Sequence, residues 1–331
     1  MSKHILVTGG AGYIGSHTVR LLIKEGYKVT VLDNLVNGHK KSVPTEVEFI
    51  NLDLCEREVL TKLIEHNNFD AVIHFAAFIE AGESMKQPEK FFENNCVNGT
   101  NLLNAMVSNN LKNIIFSSTA AVYGNPISTP IKEDHPLDPV NHYGRTKLIF
   151  ENILKMYEQT HSLKNISLRY FNAAGADESG EIGEDHDPET HLIPLILKTA
   201  LGKRKNISIF GTNYDTKDGT CVRDYIHVND LAQAHILALE KLFETGESEV
   251  FNLGNGQGFT VKEVIQAAEK VIGHPIPKEE APRREGDPAI LIADSEKIKS
   301  KLGWNPKFTS IEQIIETAWK WHKDHPDGFL A

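Results

Sequence analysis

The chain alternates between short apolar runs, typical of buried strands, and longer stretches with the spacing of amphipathic helices. His4 to Thr8 is an apolar run rich in β-branched residues, and it breaks at the glycine-rich stretch from Gly9 to Gly15. Ser16 to Glu25 then has helical spacing, and Lys28 to Leu32 is a second strand pattern closed by Asp33. The opening of the chain therefore predicts a strand, a tight turn, a helix and a second strand.

The same alternation continues as far as Phe171. We predict further strands at residues 47–50, 71–77, 113–118 and 165–171, with helices between them at residues 58–65, 91–108 and 143–159. Continuous apolar strands separated by helices indicate a parallel sheet with both faces covered. The predicted fold class is α/β, with a Rossmann-type doubly wound parallel sheet in residues 1–174.

The pattern changes after Asn172. Long polar loops occupy residues 175–190, 211–219 and 275–288, and loops of this length are usually functional or mobile. Between them lie helix patterns at residues 193–201, 229–243 and 261–271 and short strands at 207–210 and 250–253. We expect residues 175–331 to form a smaller α/β lobe that faces the substrate, with segments near residues 220–250 returning to the first domain.

The glycine-rich turn is the first candidate for chemistry. Gly10, Gly12 and Gly15 fit G-x-G-x-x-G, and Gly9, Gly12 and Gly15 also fit G-x-x-G-x-x-G. Such glycines let the backbone approach a pyrophosphate at a helix N-terminus, although glycine-rich turns are also ordinary structural turns. Asp33 ends the next strand at about the 20-residue spacing of a ribose contact. A carboxylate there repels a 2′-phosphate, so the sequence predicts NAD rather than NADP.

Composition narrows the class of protein. The 331 residues carry a net charge of −10, which argues against general binding to nucleic acid or anionic membranes. The three cysteines are widely spaced, no signal-peptide pattern opens the chain, and no 18-residue apolar stretch occurs. We therefore expect a soluble, cytoplasmic protein. The fifteen histidines are scattered without H-E-x-x-H or C-x-x-C, so we predict no metal site.

A Tyr-x-x-x-Lys motif supplies the second candidate. Tyr143 and Lys147 are neighbours on one face of a predicted helix. An ammonium group beside a phenol stabilises the phenolate and lowers the tyrosine pKa, as a general base requires. Ser117, Ser118 and Thr119 end the preceding strand and could supply a hydroxyl to the same substrate oxygen.

With these motifs the chain resembles the extended short-chain dehydrogenases/reductases, and within them most closely the UDP-glucose 4-epimerases. The likeness covers nearly the whole length. Besides the glycine-rich turn, Asp33 and the Tyr143–Lys147 pair, it is carried by residues 116–118, 122–124, 169–172, 219–228 and 281–287.

The resemblance implies a reversible interconversion of UDP-galactose and UDP-glucose. Tyr143 is expected to take the proton of the sugar 4′-hydroxyl while NAD⁺ takes the C4 hydride. The resulting 4-keto sugar then turns over and receives the hydride on its other face. Thr119 is expected to hydrogen-bond O4′. Lys147 is expected to lower the tyrosine pKa and to hold the nicotinamide ribose.

The resemblance also implies two sets of binding residues and a partner. Those expected to hold NAD are Gly9, Gly12, Tyr13, Ile14, Gly15, Asp33, Asn34, Leu35, Asn37, Gly38, Asp53, Leu54, Phe75, Ala76, Ala77, Tyr143, Lys147 and Phe171. Those expected to hold the UDP-sugar are Thr119, Tyr143, Asn172, His191, Leu192, Ile209, Phe210, Arg223, Arg284 and Asp287. A homodimer is expected, formed through the Tyr143 helix and the helix at residues 91–108.

Several related activities stay open at the level of sequence. Related 4,6-dehydratases follow the threonine with an Asp-Glu pair, whereas Ala120 and Ala121 follow it here. A 4-epimerase of UDP-N-acetylhexosamines, a UDP-glucuronate 4-epimerase or a UDP-sugar decarboxylase is harder to exclude, and Arg145 or Arg169 could then bind the carboxylate.

Some individual residues also admit a second interpretation. Arg223 could form a structural ion pair with Asp224 or Asp230 instead of binding substrate. Ile79 replaces a lysine that is common in epimerases near the cofactor phosphate, which bears on cofactor retention. A non-catalytic NAD-binding module would usually lack Tyr143 or Lys147, and both are present.

Overall fold

Apolar, β-branched runs form the strands because their side chains pack well on both faces of a pleated sheet. The computed structural model describes residues 2–284 and 287–330, so Glu285 and Gly286 of the 281–287 motif lie outside the described residues. The strands are β1 (His4–Thr8), β2 (Lys28–Asp33), β3 (Glu48–Asn51), β4 (Ala71–His74), β5 (Asn113–Thr119), β6 (Lys164–Tyr170), β7 (Asn172–Ala174), β8 (Ile207–Phe210), β9 (Val222–His227), β10 (Glu249–Leu253), β11 (Gly258–Thr260), β12 (Lys278–Ala281) and β13 (Ile290–Leu291).

Helices alternate with these strands through most of the chain. They are α1 (Tyr13–Lys24), α2 (Arg57–His66), α3 (Ala81–Ser84), α4 (Pro88–Phe92), α5 (Gly99–Ser108), α6 (His142–His161), α7 (Leu192–Ala200), α8 (Val228–Thr245), α9 (Val261–Ile272), α10 (Glu296–Leu302) and α11 (Ile311–Asp324). None of the helices in the described part of the chain combines the length and apolar character needed to cross a membrane.

A parallel sheet organises the first part of the molecule. Its seven strands, counted over the described residues, lie in the order β10-β6-β5-β4-β1-β2-β3. All neighbours in it run parallel. The predicted doubly wound α/β fold is thus confirmed. The strand order reverses at β1, and ligands in such folds bind beyond the carboxyl ends of the strands at that point.

Helices bury both faces of this sheet. On one face Val19 of α1 and Leu239 of α8 join a core that includes Ile5 of β1. On the other face α2, α5 and α6 contribute residues such as Leu102 and Phe150. The strands whose carboxyl ends form the edge with the glycine-rich turn are thereby packed between two cores.

The elements after β7 form further small sheets. β9 pairs with β7, β11 and β13, and β8 pairs with β12. The helices α7, α9 and α11 pack together through Ile196, Val264 and Ile314. By contrast, β10 pairs with β6 of the main sheet. The division of the chain at about residue 175 stays a prediction.

The helix predicted at residues 91–108 is interrupted. A π-helical turn, Glu93–Asn98, separates α4 from α5, and such turns often occur near functional sites. The turn directs Asn95 so that its Oδ1 accepts a hydrogen bond of 2.8 Å from the Phe78 amide. Gly99 follows because a Cβ there would lie 2.6 Å from the Phe150 ring. The glycine therefore permits close packing of α5 against α6.

Candidate active site

A cleft of about 410 Å³ lies at the carboxyl edge of the main sheet. Residues after β1, β2, β4, β5 and β6 form one wall, and Arg223, Asp287 and Leu291 from the later part of the chain face them. The cleft therefore lies at the position that the strand order predicts for a ligand.

The glycine-rich turn combines close backbone packing with free space. Gly9 has φ of +74°, and a Cβ there would lie 2.5 Å from the Ala76 amide nitrogen. A Cβ on Gly15 would lie 2.2 Å from the Gly9 carbonyl oxygen. A Cβ on Gly12 would meet only that same oxygen, at 3.4 Å, among the described atoms within 4 Å. The fold itself thus requires Gly9 and Gly15, whereas Gly12 leaves room toward the cleft.

Gly12 is also the N-cap of α1, and no side chain from the described residues caps this helix start. The first amides of a helix lack partners within the helix, and the helix dipole favours an anion there. A pyrophosphate group fits this combination of uncapped amides and free space.

Asp33 ends β2 at the cleft. One carboxylate oxygen accepts a hydrogen bond of 2.9 Å from the Ala11 amide, and the other accepts one of 2.9 Å from Leu35. Burial raises the pKa of Asp33, while these amide bonds act in the opposite direction. Nearby, the Asn34 side chain donates to Asp53 at 2.7 Å. The edge of the cleft beside the glycine-rich turn therefore presents fixed carboxylate acceptors suited to hydroxyl groups.

The start of α6 brings Tyr143 to the end of β5. Asn141 caps the helix by accepting a hydrogen bond of 2.7 Å from the Gly144 amide. A Cβ on Gly144 would lie 2.6 Å from the Ala121 carbonyl oxygen, so this glycine lets the helix approach the residues after β5. The Thr119 hydroxyl consequently hydrogen-bonds the Tyr143 phenol. Tyr143 and Thr119 both line the cleft.

Lys147 lies one turn further along α6 and below the cleft wall. Its Nζ donates a hydrogen bond of 2.9 Å to the Ser117 carbonyl and lies 6.0 Å from the Tyr143 ring centroid. Burial lowers the pKa of Lys147 to about 7. Burial also raises the pKa of Tyr143 to about 12, although the Thr119 hydrogen bond lowers it. In the chain alone, desolvation has the largest effect on the pKa of Tyr143 and Lys147 is not among the groups that lower it. The expected effect of Lys147 on the tyrosine stays a prediction.

Arg223 and Asp287 form an ion pair on the opposite wall. Arg223 also donates to the Val222 carbonyl at 2.7 Å and is 9% exposed.

The two acids that the sequence suggested as ion-pair partners of Arg223 are engaged elsewhere. Asp224 accepts backbone amides that include Asn255 at 2.8 Å. Asp230 accepts the amides of Lys307 and Phe308. Arg223 therefore places a cation on this wall, with Asp287 as its partner.

Two further arginines stack on aromatic rings. The Arg284 guanidinium lies 4.0 Å from the Phe210 ring centroid, and that of Arg283 lies 4.0 Å from the Tyr214 ring centroid. Arg283 also donates to the side chain of Asn213 at 2.6 Å. Such stacking orients a planar guanidinium for phosphate or carboxylate binding.

The long polar loop after β7 reaches the cleft through Glu184, His186 and His191. Nδ1 of His191 lies 2.8 Å from Glu184 Oε1 and 3.2 Å from Glu189 Oε1. Burial disfavours the charged imidazole, yet the two carboxylates raise the pKa of His186 to about 9 and that of His191 well above its ordinary value. His191, which is predicted to bind the substrate, lines the cleft, and its Nδ1 lies against these carboxylates. Its role toward the substrate stays a prediction.

Most of the predicted site residues converge on the cleft. Those in its wall are Gly9, Gly12, Tyr13, Ile14, Gly15, Asp33, Asn34, Asn37, Gly38, Asp53, Leu54, Phe75, Ala76, Ala77, Thr119, Tyr143, Phe171, Asn172, His191, Arg223 and Asp287. Of the predicted residues that the structure describes, six lie outside the wall: Leu35, Lys147, Leu192, Ile209, Phe210 and Arg284.

The wall also contains residues that sequence reasoning did not propose. They are Leu32, Val36, Leu52, Phe78, Asn94, Gly124, Val140, Asn141, Tyr170, Ala173, Glu184, His186 and Pro288. Leu32 and Tyr170 directly precede predicted residues and follow from strand register. Glu184 and His186 carry a readable signal, the spacing E-x-H-x-x-E-x-H at residues 184–191. The prediction of no metal site considered only other spacings.

Comparison with known proteins extends these observations. The NAD dependent epimerase/dehydratase family matches residues 5–254. The UDP-glucose 4-epimerase of Halalkalibacterium halodurans is 54% identical over 325 residues, which cover 98% of this chain and 97% of that protein.

Solved structures give the same result in three dimensions. A crystal structure of UDP-glucose 4-epimerase has a TM-score of 0.96 at 49% identity, covering 98% of this chain and 99% of the other. UDP-glucose 4-epimerase from Bifidobacterium longum, in complex with NAD⁺ and UDP, has a TM-score of 0.93 at 39% identity and covers 98% and 100%. The similarity to these proteins thus spans the main sheet and the elements after it.

Proposed function

The chain belongs to the NAD dependent epimerase/dehydratase family, and from this membership and the cleft we propose that it interconverts UDP-galactose and UDP-glucose by epimerisation at C4. The observation that carries the proposal is the convergence of Thr119 and Tyr143 with the glycine-rich turn in one cleft. This arrangement offers a proton acceptor beside a dinucleotide site, as a hydride-transfer reaction on an alcohol requires.

The residues present fit NAD. The space beside Gly12 and the uncapped start of α1 suit a pyrophosphate, and Asp33 suits an unmodified ribose. Asn37 and Phe75 line the same side of the cleft. When bound, NAD supplies the acceptor and the donor of the C4 hydride.

Tyr143 is the proposed general acid and base. Its phenol takes the proton of the sugar 4′-hydroxyl and later returns it, and Thr119 supplies a hydrogen bond that favours the phenolate. Lys147 is the proposed support of the cofactor ribose, since its amine lies one helical turn behind the phenol. Ala120 and Ala121 carry no titratable group, so the site lacks the acid pair of an elimination reaction.

The wall opposite the main sheet is the proposed site for UDP. Arg223 faces the cleft, and Asp287 holds it in place through their ion pair. Arginine suits a diphosphate because its guanidinium can bind two oxygens at once. We assign Phe210 and Arg284 to the same site, where their stacked pair supplies a flat surface and a second cation. Asn172 and Phe171 line the cleft between the two walls.

Neither arginine that the sequence suggested for binding a substrate carboxylate, Arg145 or Arg169, is available in the cleft. Arg169 donates to Glu151 through Nε at 2.9 Å and Nη2 at 2.6 Å, and it is 2% exposed. Arg145 lies on the exposed surface of α6. Neither arginine is among the described residues of the cleft wall. A UDP-sugar with an uncharged hexose therefore fits the cleft better than UDP-glucuronate.

We also propose a homodimer and a cytoplasmic location. Exposed apolar side chains gather on two neighbouring segments, with Phe92 and Val97 on residues 88–98 and Ile149 and Met156 on α6. Apolar surface of this kind is typical of an interface between subunits. Cys55, Cys96 and Cys221 are all free thiols, which supports a reducing compartment.

The function is tested by incubating the purified protein with UDP-galactose and catalytic NAD and following the nucleotide sugars by NMR. The expected result is UDP-glucose in equilibrium with UDP-galactose, without stoichiometric accumulation of reduced cofactor. Parallel incubations with UDP-N-acetylglucosamine and UDP-glucuronate define the substrate range. Failure to convert any of the three would refute the proposed activity.

A further inference from the structure

Four potential metal ligands converge within the loop between β7 and α7. Glu184, His186, Glu189 and His191 each direct one ligand atom into a group in which all four atoms lie within 4.8 Å of one another. All come from eight consecutive residues, so the loop brings them together locally. Mixed imidazole and carboxylate ligands at short sequence spacing are typical of zinc sites.

The distances match a tetrahedral ion. Nδ1 of His186 lies 3.3 Å from Glu184 Oε1 and 3.7 Å from Glu189 Oε2. Nδ1 of His191 lies 2.8 Å from Glu184 Oε1 and 3.2 Å from Glu189 Oε1. In a tetrahedral zinc site with bonds of about 2.0–2.2 Å, neighbouring ligand atoms are about 3.3–3.6 Å apart. These four distances are close to that range, and ligand atoms as far apart as 4.8 Å would have to approach by about 1.2 Å to enclose such an ion.

Burial and unmet hydrogen bonding also indicate a ligand. The side chains of Glu184 and Glu189 are 4% and 3% exposed. Glu189 Oε2 and His186 Nδ1 are buried, face each other, and have no hydrogen-bond partner among the described residues. Buried carboxylates are normally paired or bound to metal, and here their ion-pair partners are the two imidazoles. A divalent cation would balance both charges with the histidines neutral.

We propose that Glu184, His186, Glu189 and His191 together bind one divalent transition-metal ion, for which Zn²⁺ is the best match. Two imidazole nitrogens disfavour Mg²⁺ and Ca²⁺, which prefer oxygen ligands. Four protein ligands complete a tetrahedral shell, so the site is structural rather than catalytic. This inference does not depend on the epimerase activity.

The surroundings indicate what the ion would stabilise. The His186 ring meets that of Tyr13, in the glycine-rich turn, edge to face at 6.2 Å between centroids. A Cβ on Gly183 would lie 2.4 Å from the Trp321 ring, so the loop also packs closely on α11. The ion would thus fix a loop that joins the start of α1, α11 and the cleft wall.

The test uses the full chain without a polyhistidine tag. The protein is stripped with dipicolinate, equilibrated with Zn²⁺ and freed of excess metal by gel filtration, and its metal content is measured by plasma mass spectrometry. We expect about one zinc per chain. We also expect Tm to fall on stripping and to recover when zinc is added.

Matched variants assign the ion to this group. His186→Asn and Glu189→Gln are each expected to weaken zinc affinity by about tenfold or more and to remove the zinc-dependent rise in Tm. His39→Asn is the control, because His39 pairs with Asp185 of the same loop at 3.4 Å but contributes no ligand. It is expected to retain one zinc per chain.

A readout on the wild-type protein avoids reliance on variants that fail to fold. Co²⁺ loaded into the stripped chain is expected to give the strong visible absorption of a tetrahedral site, and added Zn²⁺ should displace it. Little retained metal after equilibration, with Tm unchanged by zinc, would overturn the proposal in favour of an ion-pair network. Full zinc retention by a folded His186→Asn or Glu189→Gln variant would also overturn it, as would octahedral Co²⁺ absorption.

Discussion

Tyr143 experiences two opposing influences. Burial at the start of α6 raises the pKa of its phenol to about 12, and the hydrogen bond from Thr119 acts against that rise. Burial also lowers the pKa of the Lys147 amine, to about 7. Because the contact with Thr119 lowers the pKa of the phenol, the proton transfer proposed for Tyr143 is expected to depend on Thr119.

Replacing Tyr143 with phenylalanine tests the general base directly. We expect Tyr143→Phe to lower kcat by about 10²–10⁴-fold, because general acid–base catalysis typically contributes this much. KM for UDP-galactose should change little. The control is Tyr157→Phe, since Tyr157 lies on the same helix and donates to Asn104 at 2.6 Å. Turnover near the wild-type rate in Tyr143→Phe would remove the assignment.

The contribution of Thr119 to catalysis can be measured separately from that of the Tyr143 phenol, which it contacts. Thr119→Val should lower kcat about fivefold, as expected for loss of one hydrogen bond worth about 1 kcal/mol. The bond lowers the pKa of Tyr143, so its loss should move the ascending, acid-side limb of the kcat–pH profile to higher pH. Thr119→Ser keeps the hydroxyl and should restore the profile. An unshifted profile in a folded, impaired Thr119→Val enzyme would contradict this role.

The sequence predicts individual residues where a local motif contains the information. Tyr143 and Lys147 could be selected by their helix spacing, whereas the choice of Thr119 among the three hydroxyl residues that end the preceding strand followed from the family resemblance. The pairing of Arg223 with Asp287 could not be predicted, since it joins positions separated by 64 residues. The lowered pKa of Lys147 could not be predicted from the sequence either, because it depends on burial by distant elements.

The glycines of the glycine-rich turn have different roles: Gly15 permits close backbone packing, whereas Gly12 leaves open space in the cleft. Gly15→Ala places a Cβ 2.2 Å from a carbonyl oxygen and should lower the free energy of unfolding by about 1–3 kcal/mol. Gly12→Ala meets only one atom at 3.4 Å and should cost about 1 kcal/mol or less. If Gly12 leaves space for pyrophosphate, its variant should nevertheless bind NAD at least about tenfold more weakly.

Thermal unfolding and calorimetric NAD titration distinguish the two variants. The decisive comparison is Gly12→Ala, which is expected to fold well and to bind poorly. Unchanged NAD affinity in this variant would show that the free space beside Gly12 has no role in binding.

Helices and strands were predicted correctly where apolar periodicity was strong, and were missed where packing between distant residues determines the backbone conformation. The strands of the main sheet were predicted to within one residue at each end, as β1 illustrates, except that β4 ends at His74 and not at residue 77. In the later part of the chain, β8 was predicted to the residue. The π-helical turn at Glu93–Asn98 was not, because it is specified by contacts of Asn95 with Phe78 and Thr146. The short strand β13 was also missed, since two residues carry no periodicity.

The proposed dimer is a property of the whole molecule. Ile149 and Met156 are 38% and 60% exposed and lie seven residues apart on α6, so they share one face. We expect a mass of about twice 37.0 kDa by light scattering, and a shift toward the monomer in Ile149→Glu because a charge in an apolar interface is unpaired. Val59→Glu changes an exposed apolar residue of α2 and should stay dimeric. A monomeric wild-type protein at micromolar concentration would refute the proposal.

Buried neutral histidines link the stability of the whole fold to pH. Burial lowers the pKa of His74 and His227 to about 3 and that of His235 to about 4, from an ordinary value of 6.5. Each is 1% exposed or less. Below about pH 6.5 the unfolded chain binds protons that the native chain does not, so the stability present above that pH is lost as pH falls toward 4.

Each such histidine should therefore contribute a loss of up to about 1.4 kcal/mol per pH unit in this range. His235 offers a clean test, because its Nε2 has no hydrogen-bond partner among the described residues and its ring packs against Phe75 at 4.7 Å. His235→Leu should fold, and its Tm should fall less than that of the wild type between about pH 7 and about pH 5. An identical fall in both proteins would show that protonation of His235 destabilises the native state little, and would refute its proposed contribution to the pH dependence.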